Sequence, residues 1–485
     1  MNWILSCLPL LGLIAMGMSL TYLVPIAISA ALHDGITWAF AVSLALNFSV
    51  GLGVWLATRR YQHEIGIREG ILLVVAVWTG GSLFATVPFL LTINGISFTD
   101  AFFEAVSGLT ATGATVLSGL DNLPPSINVW RGQLQWLGGM GVIVLAVAVL
   151  PLLGVGGRQL FKAEIPGPMK NEQLTPRITE TAKGLWFVYL MLTTACFLSY
   201  RGAGMSWIDA LVHSFTTMGL GGFSSHDASF RYFDSPLIES VATVFMLLAG
   251  ISFATHFVAL RHLSVRAYRV DVEARYFVMA VGLSVLGIAS FLWLSNDYPD
   301  FITALRFAAF NVVSVGTTTG YSTADYSLWP VFAPLWLLFL GTFLSCSGST
   351  GGGIKMVRAV VLFKQVYREF NRLSHPQAVT PLKIADQAIS NQIIFAVLAF
   401  FFTWTATMVT MTLVLALSGL DAMTAFSAAV ASLNNIGPGL NEVGPSSNYA
   451  GLTDFQTWVC ALAMLMGRLE LFTFFIVFTT AFWRK

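Results

Sequence analysis

The chain has 485 residues, of which 56% are hydrophobic and only 10% charged, with 25 Lys plus Arg against 24 Asp plus Glu. A soluble domain averages about 25% charged residues, so a soluble enzyme would lack its charged surface here. A disordered protein would lack its low hydrophobicity, and a nucleic-acid binder its basic excess. At roughly 20 apolar residues per crossing, this is the composition of an all-α polytopic membrane protein.

The apolar stretch 3–32 opens the chain with no Lys or Arg before Arg59. It is too long for the core of a signal peptide and reads as a retained first helix. Further crossings are expected at 36–57, 70–92, 129–153, 181–200, 236–260, 275–295, 328–361 (interrupted), 389–417 and 453–483. Ten crossings put both termini on one side. Two N-terminal helices occupy 1–66, and four units follow at 67–160, 161–270, 271–375 and 376–485. Cys7, Cys196, Cys346 and Cys460 stand singly in apolar runs, with neither disulfide nor metal-ligand spacing.

Alternate connections divide the charge unevenly. One set holds Arg59, Arg60 and Arg68, then Arg158, Lys162, Lys170, Arg177 and Lys183, then Arg261, Arg266, Arg269 and Arg275. It continues with Lys355, Arg358, Lys364, Arg368, Arg372 and Lys383, and ends with Arg484 and Lys485. By the positive-inside rule this side is cytoplasmic. The opposite side carries acidic residues such as Asp100, Glu104, Asp121, Asp209 and Asp227. They fit either ordinary solvated loops or an acidic vestibule that concentrates cations.

The outer connections repeat. AFFEAVSGLTATGAT (101–115), ALVHSFTTMGLGGFS (210–224), FNVVSVGTTTGYS (310–322) and SAAVASLNNIGPG (427–439) each pair an amphipathic stretch with a small-residue break. Phe103, Ser107, Thr110, Thr112 and Gly113 match Phe310, Ser314, Thr317, Thr319 and Gly320. Gly222 stands as far after Asp209 as Gly113 does after Asp100, and Gly437 follows Asp421 about one helical turn later. Such a repeat governs the fold more than any local motif. The physical reading is a short helix dipping in from the outer face, with an extended Gly/Thr segment returning. Non-helical backbone at membrane depth is tolerated only where it is buried in protein or lines water. Four such segments around one axis would offer a ring of backbone carbonyls able to replace the hydration shell of a monovalent cation. TATGAT, GLGGFS, TTTGYS and NNIGPG carry no charge, which excludes a carboxylate ring or a basic anion ring and favours a large, weakly hydrated ion such as K+.

SGLTATGAT, GLGGFS, SVGTTTGYS, NNIGPG, SCSGSTGGGIK and MGRLELFTFF together resemble the Trk/Ktr/HKT superfamily of potassium transporters, nearest its bacterial TrkH branch. The resemblance covers essentially the whole chain. It implies two N-terminal transmembrane helices plus four helix–pore-loop–helix repeats around a central pore, and one filter glycine per repeat: Gly113, Gly222, Gly320 and Gly437. The residues before each glycine would line the ion path: Thr110, Ala111 and Thr112; Leu220 and Gly221; Thr318 and Thr319; Asn435 and Ile436. Gly113, where some plant relatives carry serine, argues for the potassium type. The resemblance further implies a homodimer with one pore per chain, surrounding membrane lipid, and location in the bacterial inner membrane. A cytosolic nucleotide-binding subunit of the TrkA type would dock on inner loops such as 355–383. K+ would be the bound and transported ion, with no organic cofactor, no nucleic acid and no enzymatic activity.

Two gate elements complete the reading. SCSGSTGGGIK (345–355) interrupts a crossing and lacks the Lys-Ser/Thr order of a phosphate loop. In the family such a loop, here with Gly348, Ser349, Thr350, Gly351, Gly352, Gly353 and Lys355, gates within the membrane; the alternative is a helix kink. Arg468 is the basic residue left inside an expected span, a costly position that points to function. The family sets it below the filter against the loop; the alternative is a structural ion pair. Glu470, about 200° further round a helix, would face away. Glu104 and His213 read as structural rather than as ion ligands, while His256, within a crossing, fits a functional role and a packing histidine equally.

Overall fold

Pro25 has no N–H to give to the preceding turn. The helix expected at 3–32 is accordingly two helices, Asn2–Ser19 and Leu23–Leu32, joined by a 3-10 turn at Leu20–Tyr22. The computed structural model describes residues 2–61, 66–148, 178–378, 380–384 and 387–484. Arg158, Lys162, Lys170, Arg177, Lys485 and the boundary at 160–161 lie outside the described residues. The N-terminal hairpin closes against Thr37–Thr58 at Gly12 and Gly51, where a Cβ on either would come within 2.7 or 2.8 Å of the other's carbonyl oxygen. Small residues let apolar helices approach where lipid gives no hydrophobic drive to associate.

Four units follow, each a first helix, a short re-entrant helix and a second helix. The first helices are Ile67–Ala85 with its continuation Val87–Thr92, then Ile178–Gly202, Val272–Leu294 and Asn391–Leu417. The re-entrant helices are Phe98–Leu109, Trp207–Met218, Phe301–Gly316 and Ala422–Leu433. Each starts at a side-chain cap. Ser97 and Ser206 hydroxyls accept from the N–H of Asp100 and Asp209 at 3.0 Å, while Asp300 and Asp421 carboxylates accept from Thr303 at 2.8 Å and Met423 at 2.9 Å. Such caps satisfy amide groups that have no partner inside the helix.

The second helices depart from straight crossings. Pro125–Ala148 is continuous, but the crossing expected at 236–260 is Pro236–Gly250 and Phe253–Arg261, bent by 94°. The third stops at Phe343 and resumes as Met356–Ser374, and the fourth stops at Arg468 before Leu471–Ile476. Among the described residues, six helices are long and apolar enough to cross a membrane, seven if the bent pair counts as one. The breaks are satisfied rather than loose. Cys346 N–H donates to Gly250 O at 3.2 Å, and Phe253 N–H to Gly348 O at 3.0 Å, so the third unit's loop fills the second unit's bend. Inserted groups of this kind are a recognised cause of sharp kinks. The apolar side chains Leu283, Phe395, Phe402 and Leu413 stay exposed on long helices, as a lipid-facing surface requires. The chain is therefore an all-α polytopic membrane protein with two N-terminal helices and four helix–loop–helix repeats around a central axis. All four cysteines are buried thiols outside any disulfide.

Candidate ion filter and gate

Each re-entrant helix ends the same way. The N–H of Ala111, Leu220, Thr318 and Asn435 donates three residues back, to Gly108, Thr217, Val315 and Ser432 at 2.9 to 3.3 Å. The next N–H, of Thr112, Gly221, Thr319 and Ile436, donates five back, to Ser107, Thr216, Ser314 and Ala431 at 2.8 or 2.9 Å. This bond pair is a Schellman termination, which normally places glycine in the left-handed conformation. Here the left-handed residues are Ala111 (φ 52°), Leu220 (50°), Thr318 (64°) and Asn435 (55°). A side chain there costs about 1–2 kcal/mol. Two residues on, Gly113, Gly222, Gly320 and Gly437 have φ of 87°, 78°, 88° and 98°. Alternating the hand of the backbone turns successive carbonyls toward one side.

These four segments close a ring. A Cβ on Gly113 would collide with Gly221 O, on Gly222 with Thr319 O, and on Gly320 with Ile436 O; on Gly437 it would lie 2.7 Å from Thr112 O. In every case the opposing oxygen belongs to the residue just before the neighbouring repeat's glycine. The order runs from first repeat to fourth and back to the first. The expected residues of all four repeats are thus brought together, with the C-terminal, partially negative ends of four helices converging on them.

Side chains brace the ring from behind. Thr110 and Thr112 hydroxyls lie 2.6 Å apart, and those of Thr317 and Thr319 2.8 Å. Asn435 Nδ2 donates to Thr112 Oγ1 at 2.9 Å and Met464 O at 3.0 Å. Gly138 and Gly467, in the second helices of repeats one and four, leave room for Leu109 O and Leu433 O, and Gly341 for Val315 O.

On the outer side, buried Arg131 meets buried Glu104 at 2.7 Å and donates to Ser224 O at 2.9 Å, joining the outgoing arms of the first two filters. Glu104 also accepts from Thr115 Oγ1 at 2.9 Å and Val116 N at 3.2 Å. His213 Nδ1 lies 2.8 Å from Asp209 O and its Nε2 3.0 Å from Ser224 Oγ. His256 bonds Tyr268 and Leu248 O. All three side chains are thus engaged by protein groups. Above the ring, an open vestibule is lined by Gly113, Gly222, Gly320, His226, Asp227 and Tyr449 among others. Among the described residues, no cluster of His, Cys, Asp or Glu could hold a metal ion.

Below the ring lies the loop 345–355. Thr350 Oγ1 donates to Met218 O at 3.0 Å, and Gly352 N–H to Thr318 Oγ1 at 2.8 Å. A Cβ on Gly351 would reach Thr317 O at 3.0 Å, and one on Gly352 would strike Asn434 O. Gly348 and Gly353 take φ of 74° and 72°, Ser349 bonds back to Cys346 O at 2.6 Å, and Lys355 Nζ donates to Gly351 O. The loop therefore packs under the ends of the second, third and fourth re-entrant helices. Glu273, buried at the start of its helix, accepts from Ser347 N at 3.2 Å and Val357 N at 2.8 Å and so grips both ends of the loop. Arg468 is 5% exposed; its Nη1 donates to Thr350 O at 2.8 Å and Nη2 to Gly138 O at 3.0 Å. Its partners here are carbonyl oxygens. Glu470 does not continue the helix at all: with φ of 62° it turns away and pairs with Arg358 at 2.7 Å.

Sequence reasoning missed Gln135, Glu273, the Arg358–Glu470 pair and the helix glycines. A polar or small residue inside an apolar span was the available signal.

A helical membrane protein whose four repeats bring uncharged backbone to one axis, with a loop and an arginine packed beneath, is a membrane transport protein of the pore-forming class. The family model described as TrkH, cation transport protein, matches residues 37–485. The Trk system potassium uptake protein TrkH of Halomonas elongata is 47% identical over 99% of both chains, and that of Escherichia coli K12 42% identical over 98% of both. The crystal structure of the potassium transporter TrkH from Vibrio parahaemolyticus superposes with a TM-score of 0.91 at 41% identity, covering 100% of this chain and 99% of that one. The chain belongs to the TrkH family of cation transport proteins.

Proposed function

We propose that this chain is the pore-forming subunit of a bacterial potassium-uptake system in the inner membrane, with both termini cytoplasmic. The observation that carries the reading is the closed ring, in which Thr112, Gly221, Thr319 and Ile436 carbonyls each face the filter glycine of the adjoining repeat. Thr110, Ala111, Leu220, Thr318 and Asn435 shape its inner side. A neutral carbonyl site suits a weakly hydrated monovalent ion, so K+ is the cargo and Rb+ its stand-in. The ion sheds water at the ring and moves inward with the membrane potential, worth about 2.3 kcal/mol per 100 mV for one charge. The unit boundaries at 66, 160, 270 and 375 follow the repeats.

The loop from Gly348 to Lys355 and Arg468 form the gate. The hydrogen bond between Arg468 and Thr350 O places a fixed positive charge against the loop, which opposes a cation until one of them moves. The amphipathic helix Met356–Ser374 carries Arg358, Lys364, Arg368 and Arg372 and exposes Phe363, Val366, Tyr367 and Phe370. That apolar stripe at helical spacing supports a homodimer. Lys364, Arg368 and Arg372, which unlike the buried Arg358 reach the surface, support docking of a cytosolic nucleotide-binding subunit.

The rival class, a broken-helix transporter of Na+ with a small solute, is built on inverted repeats; here all four run in the same sense. Proteoliposomes holding the purified chain are expected to take up Rb+, with competition by K+ and none by alanine or glycine. Absence of competition by K+ would overturn the proposal.

A further inference from the structure

Gln135 lies on the second helix of repeat one, fully buried, and touches the filter of repeat two. Its Nε2 donates to Gly221 O at 2.7 Å, and its Oε1 accepts from Phe223 N–H at 3.0 Å. One amide thus holds the backbone on both sides of Gly222. The fit is close: a Cβ on Gly221 would overlap the Gln135 amide carbon, and one on Gly219 would meet Gln135 O at 2.6 Å. Position 221 is glycine because this side chain occupies the space.

The second filter is the one that needs such a brace. Repeats one and three carry hydroxyl pairs behind the ring, and repeat four carries Asn435. Repeat two has Leu220-Gly221-Gly222 and no side-chain polar group at these positions. Two successive glycines leave its backbone the freest to rearrange. Gln135 stands three residues before Gly138, whereas Leu338 and Met464 precede Gly341 and Gly467 by the same interval. The amide is a departure from the repeat, placed beside the filter that lacks its own support.

We propose that Gln135 is a specificity-determining positioning residue, which sets ion discrimination by fixing the Gly221 carbonyl in the ring. The inference rests on the filter reading above. A carbonyl already bonded from behind resists swinging inward to surround a smaller ion, so Na+ is refused the close coordination that would replace its water. Removing the donor frees the Gly221 carbonyl without emptying the ring of oxygens.

The test is Rb+ uptake into proteoliposomes with K+ and Na+ as competitors, on the full-length wild-type chain and on Gln135→Met, which keeps the length and packing of the side chain. Preference for K+ over Na+ is expected to fall roughly 5-fold or more, the scale of one net hydrogen bond, read as a ratio within each variant so that a change in total uptake does not enter it. Gln135→Glu, which keeps the acceptor for Phe223 but replaces the donor to Gly221, is expected to lose discrimination too, and stands in should the methionine variant fail to assemble. Unchanged discrimination in either assembled variant overturns the role of Gln135 alone. A wild-type chain that does not distinguish K+ from Na+ overturns the filter reading beneath it.

Discussion

Arg468 concentrates the cost of this architecture in one side chain. It is buried, it meets carbonyls of a helix and of a glycine-rich loop, and the chain leaves helical geometry immediately after it. A guanidinium is always charged and spreads its donors in a rigid fork, so it bridges Thr350 and Gly138. Arg468→Ala is expected to raise Rb+ flux in proteoliposomes about tenfold, which requires only about 1.4 kcal/mol off the barrier; unchanged flux would remove it from the gate. Its unusual position was legible from the sequence as the charge left over inside a span. Its partners were not, because a backbone carbonyl has no residue identity to read. The same limit applies to the ring. Gly113, Gly222, Gly320 and Gly437 announced themselves by register. The left-handed Ala111, Leu220, Thr318 and Asn435 share no chemistry, so nothing in their types signals the strained turn they make.

Among the elements, the outgoing arms of the first two filters are tied by charge. His226 Nδ1 lies 2.5 Å from Asp121 and its Nε2 3.2 Å from Asp209, with its ring stacked on Tyr232 at 3.5 Å. Asp227 accepts from the N–H of Gly119 and Leu120 at 2.9 and 3.1 Å. Burial pulls the His226 pKa down, but the hydrogen bonds and charge of Asp209 and Asp121 outweigh it and raise it above the ordinary 6.5. For Asp121 burial acts upward, yet the His226 contact and the Asp227 N–H bring it below 3.8. The His226 contribution is therefore fully present below pH 6.5 and lost as pH rises through its raised value. That of Asp121 is present above 3.8 and lost as pH falls through its lowered value. The melting temperature of the detergent-solubilised protein should fall as pH is taken from about 6 to about 9, and His226→Gln should flatten that slope; an equal slope in both would show that the latch does not contribute. The broken second helices were only partly legible at this scale. Glycines and serines marked the interruption at 345–355. The bend at Ile251 is marked only by Gly250 and Ser252 on either side, and its sharpness depends on a loop that arrives from another repeat.

For the whole molecule, the four repeats and the lipid-facing surface followed from hydropathy and repetition, because both are properties of long stretches. Many of the contacts that tie one repeat to the next are individual hydrogen bonds or ion pairs, and pattern cannot locate those. The stripe Phe363, Val366, Tyr367 and Phe370 belongs to the same scale. Phe370→Glu is expected to halve the protein mass measured by light scattering in detergent while leaving Rb+ uptake per chain in place. An unaltered mass would overturn the proposal of a homodimer through this stripe.

The ring closes between the first repeat and the last. Asn435 reaches Thr112 across 323 residues of sequence, and Arg468 reaches Gly138 across 330. Contacts of such separation form late, and chains fold from the N-terminus as they are made. A nascent chain carrying three repeats therefore has an incomplete ring, and Arg468 is supplied by the same final helix that follows the last filter. The ring and the arginine contact beneath it are completed within one stretch of synthesis.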